Sequence, residues 1–259
     1  MPKPTLRAVA IPAEHGGWSL TLEPVILGLL VAPSASGFAL GMVALLIFMS
    51  RTPGKIALVD RKRDHWRARS QWALLVAGVE VVLIVLFGVV AIATARAAFW
   101  WPLAVAVPLI AVELTFDIRS RSRRLAPELA GAVGVGSMAA AIALTAGATP
   151  GVATGLWLVI AARSVAAVSF VRVQLRRAKG QEYRVRHSDA GQLVAIGIAA
   201  TGLALDFTPA LAVGAVAFVA LFDVIMVRRS PSPVPVLGSQ QIVLGLLLVV
   251  VTGLAVRAP

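Results

Sequence analysis

The residues best suited to chemistry lie in Val59-Asp60-Arg61-Lys62-Arg63-Asp64-His65. Asp60 and Asp64 are four apart, so on a helix both carboxylates share one face. Two such acids suit Mg²⁺, which is commonly held by one or two carboxylates together with substrate phosphate oxygens and water. The flanking arginines suit the same substrate, because a guanidinium grips phosphate oxygens in pairs. The alternative is a solvated basic loop in which each aspartate pairs with a neighbouring arginine.

A second cluster runs from Arg163-Ser164 through Ser169-Phe170-Val171-Arg172 to Arg176-Arg177. Arg172 and Arg176 share one helix face. Arg163 is nine residues earlier, about 180° away at about 100° per residue, and points elsewhere. The cluster fits a phosphate or an anionic headgroup, or a basic anchor at a membrane surface. An anchor explains Arg176, Arg177 and Lys179 but not the deeper Arg163. Near the N-terminus, Glu14 and His15 stand where the chain enters its first apolar run, and His titrates near neutrality, so acid–base work is open to them. The three histidines, at 15, 65 and 187, have no metal-ligand spacing.

Positioning these residues falls to a chain that is 59% hydrophobic and only 14% charged, with mean hydropathy +0.88. Soluble domains carry about 25% charged residues. So apolar a chain needs lipid as solvent, where backbone groups must be satisfied within helices. About 20 residues cross a bilayer core, and this ruler predicts spans at 17–33, 37–55, 72–94, 98–116, 126–148, 151–171, 189–206, 208–228 and 238–256. The expected fold is therefore all-α, a polytopic bundle of about nine transmembrane helices forming one integral membrane domain over residues 1–259. No apolar signal-peptide core is evident before Trp18.

The connections alternate. Residues 33–37, 96–99, 149–151 and 206–209 are short and carry little charge. The remaining connections and the N-terminus hold all of the 24 Lys and Arg except Arg96, Arg163 and Arg257. The positive-inside rule then places the N-terminus and long loops in the cytoplasm and the C-terminus outside, with the inner (plasma) membrane as the expected location. The net charge of +12 is explained by this asymmetry and by anionic lipid, not by nucleic acid. Without cysteine, disulfides and thiolate chemistry are excluded. Within spans lie Glu23, Glu80, Glu113, Asp117, Arg163 and Asp223. Such charges either pair internally, with Arg163 partnering a carboxylate, or line a pathway. The small residues of Gly131–Ala141 favour close helix packing.

Glu14-His15-Gly16-Gly17-Trp18, followed by Glu23-Pro24, resembles the N-terminal signature of the YwiC-like bacterial membrane proteins. Glu128-Leu-Ala-Gly131 fits the same family. Arg163-Ser164, Phe170-Val171-Arg172 and Leu175-Arg176 resemble its second recognisable stretch, so the similarity runs along most of the chain. More distantly, the chain resembles the UbiA prenyltransferases. These are nine-helix proteins with aspartate motifs after the second and sixth helices, and the motifs hold a prenyl diphosphate through Mg²⁺. Here both clusters follow the second and sixth spans, and Asp60 and Asp64 match the outer part of the first motif. The Asn-Asp before it is missing, and arginines stand where the second motif has aspartates.

The resemblance implies an isoprenoid or lipid phosphate held at the cytoplasmic side by Asp60, Asp64, Arg163, Arg172 and Arg176, with Glu14 and His15 nearby. It leaves open a divergent transferase. The alternatives are a small-molecule transporter using the intramembrane acids, and a non-catalytic subunit or assembly factor with protein partners.

Overall fold

The structure, a computed structural model, describes residues 9–12, 15–62, 68–118 and 124–258. Among them nine long helices follow one another: α1 His15–Val31, α2 Ala35–Lys62, α3 Ala68–Thr94, α4 Trp100–Ile118, α5 Leu125–Thr145, α6 Pro150–Ala178, α7 Val185–Ala204, α8 Ala210–Met226 and α9 Val234–Arg257. The described residues contain no strand. The all-α expectation holds, with nine helices among the described residues. Six helices, α2 to α6 and α9, are long and apolar enough to cross a membrane, and α1 and α8 are apolar but shorter. The chain is a multi-pass membrane protein.

Two predicted boundaries move. α2 and α6 run past their apolar segments to Lys62 and Ala178. The 56–62 and 172–178 stretches, read from the sequence as connections, are helical extensions into the polar zone. Pro53 lies inside α2. Hydropathy registers where lipid ends, whereas the backbone ladder continues until side chains or turns stop it. Lys179 and the left-handed Gly180 end α6.

α5 and α6 form the centre, packed against each other and flanked by α1. Ala139 to Ala143 of α5 are fully buried. α2, α3 and α4 gather on the α5 side, and α7, α8 and α9 on the α6 side. α2 and α6 make no substantial contact, because α1 and α5 each touch both and stand between them. α3 packs on α2 through a heptad seam of Ser70, Ala73, Ala77, Glu80, Ile84, Phe87 and Ala91. Its other faces, with Leu74, Val82 and Leu86, are exposed, as suits a helix facing lipid tails.

Short and long connections collect at opposite ends. At one end the Arg96 amide donates to the Thr145 carbonyl at 2.8 Å, and the Ser36 hydroxyl reaches that carbonyl at 3.5 Å. At the other end, Lys55 pairs with Asp117, Arg172 with Glu128 and Arg228 with Asp189. The latter is the basic end.

Candidate functional site

Asp60 lies near the end of α2, mostly buried. Its carboxylate accepts from Arg69 Nη2 at 3.3 and 3.4 Å and from the Ser70 hydroxyl at 2.7 Å. Those donors come from the first turn and a half of α3, so Asp60 locks the α2–α3 hairpin. A guanidinium and a hydroxyl both suit a carboxylate. Asp64 lies outside the described residues, and among these no group of three metal-ligating side chains gathers. Asp60 is thus paired across the hairpin, and the expected magnesium pair includes Asp64, outside the described residues. Glu14 also lies outside the described residues, and of His15 only the backbone, which opens α1, is described.

The α6 arginines part company as the helical geometry requires. Arg172 turns to α5, where Nη1 meets Glu128 Oε2 at 2.5 Å. Arg176 is exposed. Arg177 donates to the Val227 carbonyl and, at 2.9 Å, to that of Arg229, while Gln174 Nε2 donates to the Met226 carbonyl at 3.0 Å. These groups satisfy carbonyls left open at the C-terminus of α8, where a cation also favours the helix dipole. Arg163 turns the opposite way, into the protein.

Arg163 is 2% exposed and belongs to a four-helix polar network. Its Nη1 donates to Gln241 Oε1 at 2.9 Å, and Nη2 donates to the Gln241 carbonyl at 2.6 Å, both on α9. Nη2 also lies 3.5 Å from Glu23 Oε1 of α1. The internal pairing expected for Arg163 is thus with Glu23. Ser19, one turn earlier on α1, donates to the same carboxylate oxygen. Gly245 faces it from α9, where an added Cβ would overlap the carboxylate. Gln241 Nε2 donates to Asp223 Oδ1 of α8 at 3.0 Å. Asp223 is fully buried, and neither its Oδ2 nor Arg163 Nε has a partner among the described residues.

The network is the densest buried polar cluster described, and it joins α1, α6, α8 and α9. One turn beyond Asp223, at the basic end, a pocket of about 530 Å³ is bordered by Gln174, Met226, Arg228, Arg229, Ser230, Ser232 and Gln240. Arg228 reaches Asp189 through two 2.9 Å bonds. Those bonds foremost raise the Arg228 pKa above its ordinary value, against an opposing desolvation and with the help of the carboxylate's charge. Among the described residues no acid borders the pocket, so its polar wall offers guanidinium, hydroxyl and amide groups to an anion.

Residues 11–143 match a family model described as YwiC-like protein. The chain belongs to the YwiC-like family. No curated protein and no solved structure matches it. The match takes in α1 to most of α5, with Glu23, Asp60 and Glu128. The second resembling stretch, from Arg163 onward, lies beyond the matched residues. Of the buried network only the α1 part falls inside the YwiC-like match.

Reading for charge found Glu23, Arg163 and Asp223 in this YwiC-like chain but missed Gln241, which links them. A neutral amide barely disturbs hydropathy, and only its tendency to bridge helices in lipid marks it. Gln192 of α7, bound to the Ala166 carbonyl of α6 at 3.0 Å, was missed for the same reason. Conversely, Asp60 lies on α2 and the Arg163 cluster on α6, and α1 and α5 each touch both of those helices.

Proposed function

We propose that this YwiC-like protein binds a lipid with an anionic head, an isoprenoid phosphate foremost, at its basic end, and that this end faces the cytoplasm. The observation that carries the reading is the pocket bordered by Arg228, Arg229, Ser230 and Ser232, with no acid among its described lining residues. Arginine and hydroxyl donors suit phosphate oxygens, and the exposed Arg176, Lys179, Arg184 and Arg186 surround the approach with positive charge. Exposed apolar residues on α8 and α9, among them Leu221, Ile225, Val236 and Val243, run away from that end and suit a lipid tail. Binding is the reading, and a two-motif transferase would further need the α2 and α6 clusters around one chamber.

Native mass spectrometry with lipid extraction on the purified protein tests it. Wild type is expected to retain an isoprenoid phosphate or another anionic lipid, and Arg229→Glu to lose it. Retention of zwitterionic lipid alone overturns the reading, and a tightly bound protein partner favours an assembly factor. A transporter is the second reading, supported by the buried network of charged groups at the contact of four helices.

A further inference from the structure

The buried network holds two carboxylates, one guanidinium and one amide. Glu23 has the guanidinium within 3.5 Å and a serine hydroxyl, so its negative charge is matched. Asp223 has only the neutral Gln241 amide on Oδ1, and its Oδ2 is buried without a partner. An ionised carboxylate so placed in a membrane protein would be uncompensated, at a penalty of several kcal/mol or more. The groups around it do not supply a second cation. α8 packs on α6, α7 and α9. From α6 the charged group turned to it is Arg163, already shared with Glu23. α9 contributes Gln241, and the Asp189 of α7 is held by Arg228 at the surface.

We propose that Asp223 is a proton-binding site, carrying one exchangeable proton that comes from water in the basic-end pocket. The pocket supplies the route. Met226 and Gln240 border it, and these lie three residues past Asp223 and one before Gln241, about one helical turn above the network. Taking up the proton forms an O–H bond on the Asp223 carboxylate and changes the network from net −1 to neutral. Loss of the proton returns it to that water. The proposal stands whether or not the pocket also receives a lipid head.

Infrared difference spectroscopy of the full chain in lipid bilayers tests this. At neutral pH the wild type is expected to show the carbonyl stretch of a protonated carboxylic acid, exchanging in D₂O. Asp223→Asn should lose that band and Glu23→Gln should keep it. Asp223→Glu should keep an acid band at a shifted frequency, which decides the matter if the asparagine variant fails to insert. An unchanged acid band in both Asp223 variants, or its loss in Glu23→Gln alone, overturns the proposal. So does a wild type with no acid band that is stabilised by Na⁺ but not K⁺, which would make Asp223 a cation ligand.

Discussion

At Arg163 one guanidinium serves Glu23, the Gln241 amide oxygen and the Gln241 carbonyl. Removing one member of a buried charged pair leaves the other uncompensated, at about 3–5 kcal/mol. Arg163→Ala is therefore expected to abolish a monodisperse folded peak in size-exclusion chromatography or to lower the melting temperature sharply. Arg163→Lys should not restore it, because an ammonium lacks the planar fork that reaches three acceptors on two helices. At Asp60 the measurable interaction is the buried bond from Ser70. Ser70→Ala should destabilise by about 1–3 kcal/mol, and Mg²⁺ should leave the wild-type melting curve unmoved. Stabilisation by Mg²⁺ that vanishes in Asp60→Asn would instead restore the metal reading. The sequence showed both acids and both neighbouring cations here. What it lacked was the partner choice, because Asp60 reaches across a hairpin whose helices extend beyond the apolar runs.

Between elements, close approach governs. Gly191 of α7 leaves room for the Ser169 side chain of α6, which an added Cβ would overlap. Gly191→Ala is expected to cost about 1–3 kcal/mol by overpacking. Pairing it with Ser169→Gly should recover much of that loss, since it vacates the space the new methyl needs. Thermal unfolding of the single and double variants checks this, and no recovery would mean that the two helices meet elsewhere. Small residues in α5 announced tight packing in the sequence, but not which helix each one meets. That choice depends on helix order around the centre, which no local periodicity encodes.

For the whole molecule, the basic connections collect at one end, with cations paired to Asp117, Glu128 and Asp189 and others left exposed. The expected orientation puts that end in the cytoplasm. Because the chain lacks cysteine, single-cysteine variants report orientation without background. Arg257→Cys should react with an impermeant maleimide added outside intact cells, and Arg229→Cys only after permeabilisation. The reverse labelling would invert the topology and place the basic pocket outside.

The sequence by itself determined the helices, their number and the clustering of cations at one end. Each of these follows from a property summed along the chain: hydropathy over about 20 residues, or charge between spans. The tertiary structure alone decided that Glu23, Arg163, Asp223 and Gln241 form one network, 218 residues separating the first from the last. That depends on which helices occupy the centre, and in this protein α5 and α6 do, with α1 packed beside them.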